Sequence, residues 1–108
     1  MKDVIEIINC RPEHYKFFSE LNFEWIKKYF VVEESDEKVL NDPEKYILEK
    51  GGYIFMAKLN DEVVGTCALL KTDEKIFELA KMAVVDKAKG KGIGFLLGQK
   101  CIEAAKQN

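Results

Sequence analysis

Between Asp86 and Gly94 the chain reads Asp-Lys-Ala-Lys-Gly-Lys-Gly-Ile-Gly, three lysines and three glycines in nine residues. Glycines let a main chain turn sharply and approach a ligand closely. A helix opening just after such a turn presents N–H groups without intrahelical partners, at the positive end of its dipole. The chemistry this suits is anion capture, with phosphate as the fitting ligand. Lys87, Lys89 and Lys91 add attraction at longer range. Other chemistries find less support. A serine or cysteine nucleophile needs a base, and His14 is the only histidine; it lies early in a polar helical stretch and reads as a surface residue. Cys10, Cys67 and Cys101 are far apart and odd in number, without metal-ligand spacing, so they read as reduced, mostly buried thiols and no metal is expected. Gly90-Lys91 is followed by Gly92, not by the Ser or Thr of a Walker loop. A dinucleotide fingerprint from Gly92-Ile93-Gly94 would need Gly or Ala at position 97, where Leu97 stands. What remains is a backbone cradle for a pyrophosphate, beside a strand carrying one acid, Glu78.

The elements that must position this loop follow from pattern. Ile76–Val84 is a strand ending at the loop, and a helix begins near Gly92 and runs to Lys106. Upstream, the β-branched run Val4–Ile8 predicts a strand. Pro12 suits the first turn of a helix running to Tyr29. Tyr15, Phe18, Leu21, Trp25 and Tyr29 recur at three- and four-residue spacing, which predicts a stripe packed on a sheet. Its end, from Trp25 to Phe30, is the candidate wall of a substrate pocket. Ser35 is the expected cap of a short helix through Asn41. Asp42-Pro43-Glu44 restarts a helix that Gly51-Gly52 stops. Tyr53–Leu59 and Val63–Leu70 are strands joined by a tight turn at Asn60-Asp61-Glu62, and Lys71–Lys75 turns the chain into Ile76. Both are near-continuous apolar runs, which predicts a sheet covered on both faces.

At 108 residues, 47% hydrophobic and 33% charged, the chain suits one small globular domain. The net charge of −2 gives no reason to expect nucleic acid or an anionic membrane as partner. The charge is uneven: from Lys71 onward there are eight Lys against five acids, so the half with the glycine loop is the basic one. No signal peptide and no apolar run of membrane-spanning length is seen, so a cytoplasmic location is expected.

Lys89-Gly90-Lys91-Gly92-Ile93-Gly94 resembles the pyrophosphate loop of the GCN5-related N-acetyltransferases, Gln/Arg-x-x-Gly-x-Gly/Ala. Gly92 and Gly94 fill the small positions, and Lys89 replaces the Gln or Arg. Met82-Ala83-Val84-Val85-Asp86 resembles the strand end leading into that loop. The order β-α-α-β-β-β-α matches the first half of the family domain, over essentially all 108 residues. The resemblance implies an α+β fold with helices on both faces of a mostly antiparallel sheet, a single truncated domain (1–108) lacking the C-terminal strands. It implies an N-acetyltransferase with acetyl-CoA as co-substrate and a small-molecule or peptide amine as acceptor. The N–H groups of Lys89, Gly90, Lys91, Gly92, Ile93 and Gly94 would hold the pyrophosphate. Met82, Ala83 and Val84 would pair with the pantetheine arm and aim an N–H at the thioester carbonyl. Glu78 would be the general base, directly or through a water; its other reading is a solvent-facing carboxylate or a partner of Lys81 or Lys75. Tyr29 and Phe30 would border the acceptor. In the family the tyrosine that often protonates the leaving thiolate comes later in the chain, and no tyrosine here matches it. The Ile76–Val84 strand is then expected to be an open edge, with a homodimer through it or through a helix. Weak CoA binding and little turnover are expected of these 108 residues. The alternative is a non-catalytic CoA-binding or protein-interaction module.

Overall fold

The computed structural model describes residues 3–107. Four strands form one antiparallel sheet in the order β1-β2-β3-β4: β1 (Ile5–Asn9), β2 (Tyr53–Leu59), β3 (Glu62–Asp73) and β4 (Ile76–Val84). Three helices cover it: α1 (Tyr15–Tyr29, entered through a 3-10 turn at Pro12–His14), α2 (Glu34–Asn41) and α3 (Ile93–Lys106). The sheet is apolar on both sides because each side has its own core. Phe55, Cys67 and Leu69 pack with Ile93, Leu97 and Cys101 of α3. Ile54, Met56 and Ala68, alternating with the first set, pack with Phe18 and Ile26 of α1 and Leu40 of α2. The near-continuous apolar runs of β2 and β3 are therefore period-2 patterns with both phases buried. Among the described residues two polar side chains are buried and both are bonded: the Thr66 hydroxyl donates to the Phe55 carbonyl at 3.0 Å, and Asn22 Nδ2 to the Phe18 carbonyl at 2.9 Å.

Local signals set most boundaries. Asn60 and Asp61 turn the β2–β3 hairpin with φ of 52° and 69°, the left-handed pair that a two-residue turn requires. The hairpin is one residue tighter than expected, and β3 extends at both ends, so Lys71–Asp73 belong to the strand and not to the turn. Ser35 does not cap α2. Glu33 does, its side chain accepting the Asp36 N–H while Asp36 Oδ2 accepts the Glu33 N–H at 3.0 Å, a reciprocal box that a hydroxyl at position 35 cannot replace. The segment after Pro43 is a single π-helical turn, Glu44–Leu48, with the Lys45 N–H donating to Asp42 Oδ1.

The aromatic stripe of α1 holds only at Phe18 and Leu21, which are buried with Asn22 and Ile26. Trp25 and Tyr29 are 38% and 53% exposed. Phe18, Asn22 and Ile26 are spaced by four and take the core-facing position. That turns the flank bearing Trp25 and Tyr29 toward the outer edge of β4, where no strand covers them.

Candidate functional site: a cleft along the outer edge of β4

β4 is not a regular strand. Thr66 faces Ala83 and Ala68 faces Ala80, so one residue of β3 stands opposite two of β4, Lys81 and Met82. Lys81 takes φ 52°, left-handed for a side chain that rarely adopts it. This bulge bends the strand and re-aims Met82–Val84 at the point where a cleft opens. An ion pair holds it. Lys81 Nζ donates to Asp36 Oδ1 at 2.6 Å, with both side chains 19% exposed, the most enclosed salt bridge of the described residues. The Lys81 ammonium, then the Glu33 N–H, hold the Asp36 carboxyl below its usual range.

Beyond β4 the chain turns through Asp86–Ala88 and enters α3. Gly90 and Gly92 have φ of 84° and 78°, and a Cβ on either would meet nothing within 4 Å. Glycine is required there by backbone conformation, and the space outside the loop is open. No side chain caps α3 and no acid lies in its first turn. Its first intrahelical bond runs from the Leu96 N–H to the Gly92 carbonyl, so the N–H groups ahead of it have no helical partner. The lysines are not free as the sequence suggested. Lys89 pairs with Asp86 at 2.9 Å and Lys91 with Asp3 at 2.7 Å, and Lys87 pairs with Glu62. The Lys89 partner lowers the Asp86 carboxyl and is itself raised by it. Such exposed pairs contribute little and exchange readily.

The predicted residues converge unequally. Met82, Ala83 and Val84 line one cleft of about 380 Å³ together with Lys89, Gly90, Gly92, Ile93 and Gly94. Ile93 itself is buried in the α3 core, so only its main chain is available. A Cβ on Gly94 would lie 3.6 Å from the Met82 sulfur, so the strand and the helix start are in contact there. Tyr29 borders the next hollow, with Val84, Asp86 and Lys89, and Phe30 a third, with Lys81 and Met82. Glu78 stands apart. It is exposed, opposite Leu70, lines none of these three hollows, and its carboxylate makes no hydrogen bond or ion pair among the described residues; Lys81 has gone to Asp36 instead. Trp25, the first residue of the candidate pocket wall, borders all three hollows. Its rings' centroids lie 5.4 Å from those of both Tyr29 and Phe30. Its signal was a large aromatic at the end of a stripe that had already left the core.

A four-stranded antiparallel sheet whose bulged last strand runs into a glycine turn and an uncapped helix leaves main-chain donors free at the helix start, an arrangement suited to an anion. Residues 17–108 match the model of the acetyltransferase (GNAT) family, and the chain belongs to that family. Solved structures agree. An acetyltransferase of the GNAT family from Staphylococcus aureus is 26% identical with a TM-score of 0.84, over 96% of this chain and 67% of that one. An acetyltransferase from Streptococcus agalactiae is 23% identical with a TM-score of 0.72, over 97% of this chain and 66% of that one. A GNAT family acetyltransferase from Brucella melitensis, solved in complex with acetyl-CoA, is 15% identical with a TM-score of 0.78, over 96% and 70%. No curated protein matches the sequence. Among the described residues no helix is long and apolar enough to cross a membrane.

Proposed function

We propose that the chain binds acetyl-CoA along the outer edge of β4 and serves acetyl transfer to a primary amine. The observation that carries this reading is the junction of Met82–Val84 with the glycine turn. An open strand edge and an uncapped helix start share one hollow. The N–H groups from Gly90 to Gly94 hold the pyrophosphate; the Lys89 N–H, expected to join them, is already donated to the Asp86 carbonyl at 3.2 Å, so Lys89 takes part through its side chain, exchanging the Asp86 carboxylate for a phosphate oxygen. Main-chain groups of Met82–Val84 hold the pantetheine arm. An N–H re-aimed by the bulge meets the charge that grows on the thioester oxygen. The reaction forms an N–C bond, breaks the C–S bond, and yields the amide, the CoA thiol and one proton; positioning and removal of that proton are what the protein supplies. We assign the proton to Glu78, through a water because its carboxylate lies outside the hollow.

That position of Glu78 also supports the second reading, a CoA-binding module without turnover. Calorimetric titration with acetyl-CoA tests the shared part. Binding is expected, with a loss of about tenfold or more in Gly92→Asp, where a carboxylate enters the anion site. No binding, or binding indifferent to Gly92→Asp, overturns both readings. Amine-dependent release of CoA thiol then separates enzyme from binder.

A further inference from the structure

Next to the proposed acetyl site, on the α2 side of the bulge, lies a cleft of about 550 Å³. That is within the roughly 300–1,000 Å³ of small-molecule sites. Its walls are apolar and exposed: Trp25 38%, Phe30 63%, Val31 83% and Leu79 49%. Large hydrophobics scattered singly need no explanation, but four around one concavity do. Three charged side chains line it, Glu33, Asp36 and Lys81. Asp36 and Lys81 neutralise each other at 2.6 Å. Glu33 is exposed, accepts the Asp36 N–H, and has no ion pair among the described residues. The cleft thus presents one uncompensated negative charge on an aromatic and aliphatic wall. Its complement is a single cation on an apolar body.

We infer that the acceptor is a primary amine carried on an aromatic or bulky aliphatic body. Glu33 attracts the ammonium, and the body lies between Trp25, Phe30 and Leu79. Amines that also bear a carboxylate are repelled by Glu33, and small hydroxyalkyl amines leave the wall wet. Met82 and Trp25 line both this cleft and the glycine-loop hollow, so an amine here has a short path to the Met82–Val84 main chain. The inference rests on the acetyl-transfer reading for the fate of the amine, but its binding preference is independent of it.

Trp25 is the only tryptophan, so its fluorescence reports occupancy directly, with calorimetry as the second readout. The full chain, with and without CoA, is titrated with 2-phenylethylamine, ethanolamine, putrescine and 3-phenylpropionate. 2-Phenylethylamine is expected to bind about tenfold or more tighter than each of the others, a ratio hydrophobic pockets reach even for one methylene. Glu33→Gln keeps an oxygen for the α2 cap and is expected to erase the preference over 3-phenylpropionate. Phe30→Ser is expected to erase the preference over ethanolamine. Equal binding of ethanolamine or putrescine, or a preference indifferent to both variants, overturns the inference. Failure of CoA itself to bind overturns the acetyl-transfer reading alone, because the amine titration without CoA still decides this one.

Discussion

At the scale of single residues, the site separates groups that act through their main chain from groups that need a side chain. Gly90, Gly92 and Gly94 contribute backbone: Gly90 and Gly92 because φ near 80° strains other residues, Gly94 because its helix start packs against the Met82 sulfur. Glu78 must act through its carboxylate, and here distance decides. It is exposed on the strand before the bulge, outside the hollow that Met82–Val84 line. The water-relayed base proposed for Glu78 is removed cleanly by Glu78→Gln, which keeps size and exposure. The amine-dependent rate constant is expected to fall about 10²- to 10⁴-fold, the range for lost general base catalysis, with the acetyl-CoA dissociation constant unchanged. A variant that keeps its rate in steady-state assays leaves Glu78 as a solvent-facing carboxylate.

At the scale of elements, α2 and the β4 bulge stand or fall together. Lys81 carries left-handed strain and spends its charge on Asp36, whose other oxygen closes the α2 capping box. Lys81→Ala removes a charged hydrogen bond and is expected to cost about 1.5–3 kcal/mol in urea unfolding. Lys81→Gly relieves the strained backbone as well, and is expected to cost roughly 0.5–1 kcal/mol less than Lys81→Ala. The pH sign follows from Asp36. Its folded pKa lies below the ordinary 3.8, so the stability it contributes is complete above that value and is lost as pH falls through the folded one. Asp36→Asn is expected to flatten the stability curve below about pH 4, at a cost in stability near neutral pH; a slope unchanged between the two proteins in acid titrations would place the loss elsewhere. None of this was legible beforehand. The Asn60-Asp61 turn, the Gly51-Gly52 stop and the glycine loop are local signals, and the structure follows them closely, whereas β3 runs three residues past its expected end because pairing with β4 continues there. The bulge is a mismatch between two strands whose turns are fixed elsewhere, and nothing in Ala80-Lys81-Met82 announces it. The Trp25 flank carried two readings, core stripe and pocket wall, for the same reason: periodicity finds a stripe, but only the neighbouring elements decide which edge of it meets the sheet.

At the scale of the whole molecule, the sheet ends in two unequal edges. β1 is a five-residue strand, whereas β4 runs for nine residues and exposes Ile76 at 57% and Leu79 at 49%. On α3, Phe95 and Ile102 lie seven residues apart on one face and are 70% and 55% exposed. An open strand edge beside apolar surface is a template for pairing. The chain spans 67% of the S. aureus structure, so that structure has further polypeptide with which such surfaces can be met. For these 108 residues we propose that a second copy meets the edge, β4 against β4, an isologous arrangement in which antiparallel pairing satisfies both rows of main-chain groups. The proposed acetyl-CoA hollow opens along the same strand, at its Met82–Val84 end, and Leu79 lines the amine cleft, so pairing confined to Ile76–Glu78 leaves both accessible. Sedimentation velocity is expected to show concentration-dependent dimers. Ile76→Lys, a charge at the start of the edge and outside the hollows, is expected to raise the dimer dissociation constant about tenfold or more while calorimetric acetyl-CoA binding persists. Monomers at every accessible concentration would remove the β4 pairing, and loss of acetyl-CoA binding together with the dimer would mean that the two surfaces are one.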